Sequence, residues 1–89
     1  MGGKCVEIYQ LRQFAAVAKT ENMTRAAQSL SMAQPAVSKT IRNLESELGA
    51  ELFERTGKGL RRTEQGDILL RYARAILNAE LDARREIEE

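Results

Sequence analysis

The side chains of this sequence that have chemistry to offer fall in two short runs. The first, Gln34, Pro35, Ala36, Ser38, Lys39 and Arg42, mixes an amide, a hydroxyl and two cations with two small apolar groups. The second, Arg55, Thr56, Lys58, Arg61 and Arg62, sets four cations and a hydroxyl against one acid, Glu54. Such groups donate and accept hydrogen bonds and neutralise negative charge, which is the chemistry of reading base edges and gripping phosphates. Bond-breaking chemistry is poorly served. The chain has no histidine and one cysteine, Cys5, which removes the usual zinc ligand sets, the Cys-His and Ser-His-Asp nucleophile systems and any internal disulfide. No catalytic residue, metal or cofactor is expected.

The elements that must position these residues are bounded by composition. Eighty-nine residues, 43% of them apolar and 30% charged, suit one globular domain and leave no room for a second independent core. Alanine and leucine outweigh valine, threonine and the aromatics, so a mainly α fold is expected. No apolar run approaches the ~20 residues needed to cross a bilayer, and no signal-peptide pattern is present. With its lone thiol the chain is expected in the reducing cytoplasm, without a membrane partner. Residues 1–5 are read as a loosely held lead-in. The net charge of +1 conceals a division, because residues 1–79 hold twelve Lys and Arg against eight Asp and Glu, while residues 80–89 hold two against five. A basic body carries an acidic tail.

Along the chain, Ile8, Leu11, Phe14, Ala15 and Ala18 form the stripe of a first helix from about Ile8 to Lys19. Asn22 is a candidate N-cap for a short second helix carrying Met23, Ala26, Ala27 and Leu30. Pro35 suits the first turn of a third helix starting at Gln34-Pro35. Val37, Ile41, Leu44 and Leu48 then form its apolar seam, and Gly49 its left-handed C-cap. The opposite face carries Pro35, Lys39, Arg42 and Ser46, flanked by Ala36, Ser38 and Asn43. The second and third helices match a helix-turn-helix layout, although an ordinary helical hairpin with a solvated polar face fits the same pattern.

Leu52–Arg55 and Leu60–Thr63 flank Thr56-Gly57-Lys58-Gly59, which reads as a β-hairpin with a strongly basic tip, a wing beside the third helix. Thr63 is expected to cap a last helix from Glu64 to about Ile87. That helix is apolar on three stripes: Leu69, Tyr72, Ala73, Ile76, Ala83 and Ile87; Ile68, Ala75 and Ala79; and Leu70, Leu77 and Leu81. One small body cannot cover all of them, so part of the helix is expected to pair with a second chain, a three-sided intramolecular core being the alternative.

Taken together these residues resemble the N-terminal DNA-binding domain of LysR-type transcriptional regulators, over about Ile8 to Ala83. The carriers are Leu11-x-x-Phe14, Met23-Thr24-x-Ala26-Ala27-x-x-Leu30, Gln34-Pro35-Ala36-Val37-Ser38, Ile41-x-x-Leu44-Glu45, Leu48-Gly49, Leu52-Phe53-Glu54-Arg55 and Thr63-x-x-Gly66. The resemblance implies a winged helix-turn-helix over residues 1–63 and a linker and dimerisation helix over residues 64–89. It implies double-stranded DNA, as an interrupted dyad operator, for the partner. Gln34, Pro35, Ala36, Ser38, Lys39 and Arg42 would lie near bases and phosphates in the major groove. The wing residues Arg55, Thr56, Lys58, Arg61 and Arg62 would touch backbone and minor groove. Leu69, Tyr72, Ala73, Ile76, Leu77 and Ala83 would join a homodimer, with tetramers as dimers of dimers in the full-length protein. A small-molecule inducer would act only through a ligand-sensing domain beyond the linker helix, which this sequence is expected to lack. One departure is Ala33, where the family commonly has Ser, so a cap for the third helix must come from elsewhere.

Overall fold

A computed structural model describes residues 5–89; of the lead-in expected at residues 1–5, residues 1–4 lie outside the described residues and Cys5 is exposed. The element order is α1 (Ile8–Thr20), α2 (Met23–Leu30), α3 (Gln34–Leu48), β1 (Phe53–Thr56), β2 (Gly59–Arg62) and α4 (Glu64–Glu88). This is the expected winged helix-turn-helix followed by a long helix.

Local signals set the boundaries. The Asn22 side chain accepts from the Arg25 amide at 2.9 Å, capping α2. Ser31 ends α2 in the left-handed region at φ 56, unusual for a residue with a Cβ, and its amide donates to Gln28 O at 3.1 Å. At α3 the N-cap is Ala33, with no side-chain bond to offer. Pro35 has no amide to satisfy, and the Ala36 amide turns back to Ala33 O at 3.1 Å, so the missing hydroxyl leaves little unpaired. Gly49 closes α3 at φ 66. The strands pair antiparallel with Phe53 opposite Arg62 and Thr56 opposite Gly59, leaving Gly57-Lys58 as a two-residue turn.

The core is built around α1, whose Phe14, Val17 and Ala18 are fully buried against Ala26 and Ala27 of α2 and Val37, Ile41 and Leu44 of α3. Leu52 and Phe53 close it below, the Phe53 ring 5.4 Å from that of Phe14. Small alanines on α2 let the helices approach closely. Two expected seam residues differ. Leu48 is 43% exposed and Ile8 also faces solvent, since each stands at a helix end beyond its packed neighbours. Thr40 and Gln10 are buried instead, the hydroxyl of Thr40 donating to Ala36 O and Gln10 Oε1 accepting from the Glu7 amide.

The wing and α4 are fixed to this body by close backbone contacts. Glu45 Oε2 accepts from the Leu52 amide at 2.8 Å, tying the loop after α3 back to the helix. Thr63 donates through Oγ1 to Glu51 O at 2.6 Å and accepts from the Gly66 amide at 3.0 Å, capping α4 as expected. A Cβ at Gly66 would stand 2.2 Å from Leu52 O, so only glycine lets α4 start this close to the wing's root.

Candidate nucleic-acid interface

Because Val37, Ile41 and Leu44 turn inward, Gln34, Pro35, Ala36, Lys39 and Arg42 stand exposed on the far side of α3, with Ser38 half-buried at its edge. The Gln34 Nε2 donates to Ser38 Oγ at 2.9 Å, one turn along, which holds the amide against the helix surface. The wing completes a concave surface beside this face. Ser38 and Arg42 share one depression with Arg55, and Gln34 and Arg55 share the next with Thr24. Arg55 thus bridges the two runs that the sequence singled out. Farther out, Thr56, Lys58 and Arg61 line a third hollow with Arg25.

Thr24 and Arg25 were not among the sequence candidates. Their signal was available: Ala26 and Ala27 must face inward, so the polar residues just before them, in the first turn of α2, face out. Arg25, Lys39, Arg42, Arg55 and Lys58 form no ion pair among the described residues. The acids nearby are occupied. Glu45 holds the Leu52 amide, Glu54 holds Arg61, and Glu21 faces Arg62. The concave surface therefore carries an excess of positive charge, with Glu21 and Glu45 the acids that line it.

Two of the wing cations stand differently from the rest. Arg61 donates twice to Glu54 across the strands, at 2.7 and 3.0 Å, and this hydrogen bonding, with the carboxylate's charge, raises its guanidinium pKa above the ordinary value. The pair is exposed, so Arg61 stays within reach of another anion. Arg62 does not. Its Nη1 donates to Ala18 O at the end of α1 and its Nε to Asp67 Oδ1 in α4, both at 2.7 Å, and only 33% of the side chain is exposed. Arg62 is withdrawn from the expected DNA-contacting set because its guanidinium is engaged inside the domain.

The apolar stripes of α4 are also sorted by packing. Leu70 and Ala73 are buried against α1, and Leu69 and Leu77 lie half-buried against the same core. Ala73, at 0% exposure, is removed from the expected dimer contacts. A different stripe faces solvent: Ile68, Tyr72 (58% exposed), Ile76, Ala79, Ala83 and Ile87 (82% exposed). The first half of α4 is part of the domain core, while its last turns touch little else.

The profile described as "Bacterial regulatory helix-turn-helix protein, lysR family" matches residues 8–67. The RuBisCO operon transcriptional regulator of Allochromatium vinosum is 51% identical over 71 residues, covering 80% of this chain and 24% of the relative. The HTH-type transcriptional regulator BenM of Acinetobacter baylyi is 40% identical over 73 residues, covering 82% of this chain and 24% of the relative. The chain spans about a quarter of the length of these relatives. Two solved complexes are similar in structure. The BenM DNA-binding domain with catB site 1 DNA superposes with a TM-score of 0.83 at 36% identity, covering 93% of this chain and 92% of that one. The CbnR DNA-binding domain bound to DNA gives 0.82 at 36% identity, covering 94% and 100%.

Proposed function

The chain belongs to the lysR family of bacterial regulatory helix-turn-helix proteins and carries the family's DNA-binding domain, and from that premise we propose how it engages its target. It binds an interrupted dyad in double-stranded DNA as a homodimer, in the cytoplasm, as a transcriptional regulator and not as an enzyme. Of the expected contacts, Gln34, Pro35, Ala36, Ser38, Lys39 and Arg42 read the major groove. Arg55, Thr56, Lys58 and Arg61 hold the flanking backbone, joined by Thr24 and Arg25. The observation that carries this reading is the concave surface of α3 and the wing, where five cations that form no ion pair among the described residues outnumber the lining acids Glu21 and Glu45. Chemistry assigns the roles: a glutamine amide matches an adenine edge, Pro35 and Ala36 fit a thymine methyl, and Arg42 suits a guanine or a phosphate.

Dimerisation through α4 is supported by the spacing of its solvent-facing stripe. Ile68, Tyr72, Ile76, Ala79, Ala83 and Ile87 are separated by four, four, three, four and four residues, a series that reads the same from either end. A second copy running antiparallel about a two-fold axis lays the stripe on itself, with Ile68 beside Ile87, Tyr72 beside Ala83 and Ile76 beside Ala79. Large groups then meet small ones at the centre.

The test is a salt titration of duplex binding combined with sedimentation. Affinity for a selected dyad should fall linearly in a log–log plot against salt, and the protein should sediment near twice 10.0 kDa. Failure to retard any duplex, including random genomic fragments, would refute the DNA reading. It would leave α4 as the working surface of a protein-interaction module.

A further inference from the structure

Arg62 has left the DNA-contacting set, and its new neighbours suggest what it does there. A two-stranded hairpin with four-residue strands has little stability of its own in water. This one is anchored at its root by Phe53 in the core, and along β2 by Leu60 packed against that core and by Glu21 of the turn after α1. Glu21 sits in the left-handed region at φ 52. Its backbone oxygen accepts from the Leu60 amide at 3.2 Å and its Oε2 from the Arg62 amide at 3.3 Å. The Arg62 guanidinium then reaches back over the same turn to Ala18 O, one of the unpaired carbonyls at the end of α1, and sideways to Asp67 in the first turn of α4. One side chain therefore ties the wing, α1 and α4 together.

Resting on the DNA-binding reading above, we infer that Arg62 is a positioning residue that sets the angle of the wing, and through it the share of affinity contributed by Arg55 and Lys58. The planar fork of a guanidinium holds two acceptors in fixed directions, which an ammonium cannot do. Charge is not the operative property here, since Glu21 and Asp67 already offset it.

The test uses Arg62→Lys and Asp67→Ala in the full chain, measured with and without a dyad duplex. In the free protein, Arg62→Lys should speed hydrogen exchange at the Leu60 amide by about tenfold while α3 amides keep their protection. With DNA, it should lower the salt slope by about one to two, matching the double variant Arg55→Ala/Lys58→Ala, and leave the ratio of matched to mismatched affinity unchanged. Asp67→Ala, which removes the acceptor, is the sharper arm. Removing an acid would tighten DNA binding by charge alone, whereas loss of the anchor weakens it.

Unchanged exchange at Leu60 overturns the inference whether or not DNA binds. So does an Arg62→Lys protein that keeps full affinity while Arg62→Ala loses it, because that would mark a direct phosphate contact. Tighter binding by Asp67→Ala, or loss of α3 protection in Arg62→Lys, overturns it equally. If the unmodified chain binds no duplex, the DNA reading fails and the exchange arm still decides the anchor.

Discussion

Helices α3 and α4 each bury one side in the same core and leave the other uncovered, yet the uncovered sides ask for opposite partners. On α3 the exposed groups are an amide, hydroxyls and cations, which stay hydrated until a polyanion with matching donors and acceptors replaces the water. On α4 they are Ile68, Tyr72, Ile76 and Ile87, which gain from losing water altogether. The difference shows how one small fold separates two kinds of recognition. Burying Val37, Ile41 and Leu44 turns a polar face outward, whereas α4 carries a second apolar stripe beyond the one that Leu70 and Ala73 use.

The comparison breaks most completely at Gly66, whose contact with Leu52 holds both helices in one frame. Gly66→Ala forces a Cβ to 2.2 Å from Leu52 O and should cost about 3 kcal/mol or more of stability, read as a lowered denaturant midpoint with both binding functions lost together. Ile76→Glu separates the two faces instead. A carboxylate in the stripe proposed to pair with a second copy should weaken the proposed dimer about a hundredfold, or about 2.7 kcal/mol, by sedimentation equilibrium, with monomer folding intact by circular dichroism. Within the polar face, Arg42→Ala should remove about 1–3 kcal/mol of discrimination between matched and mismatched duplexes if Arg42 meets a base. An even loss across sequences would assign it to phosphate. The smallest effect is expected at the entrance to α3, where Ala33→Ser should add no more than about 0.5 kcal/mol of stability, read from Tm, because Pro35 has no amide to cap and the Ala36 amide already bonds to Ala33 O.

Much of the fold was legible in the sequence because its boundaries are marked locally. Asn22, Pro35, Gly49 and Thr63 each act on backbone within a few residues, and each occupies the position its chemistry predicts. The polar face of α3 was legible for the same reason, since helical periodicity alone turns it outward. Arg62 was not: its partners at Glu21 and Ala18 lie 41 and 44 residues away, and its own neighbourhood reads only as one more cation in a basic wing. Nor was the division of α4. Three apolar stripes were visible, but which of them faces inward depends on the docking angle that Gly66 permits, and that angle brings Ala73 into the core while leaving Ile68 outside. Thr24 and Arg25 were missed although the alanine pair behind them fixed their direction.

The mirror-like spacing along α4 also acts as a ruler. In a dimer built on it, the symmetry axis falls between Leu77 and Asn78, about 20 Å of helix rise from Glu64. The two helix starts at Glu64 would then stand roughly 40 Å apart, a little more than one turn of B-form duplex at about 34–36 Å. Base pairs midway between the half-sites would go untouched, so their sequence would be felt only through how readily that stretch bends.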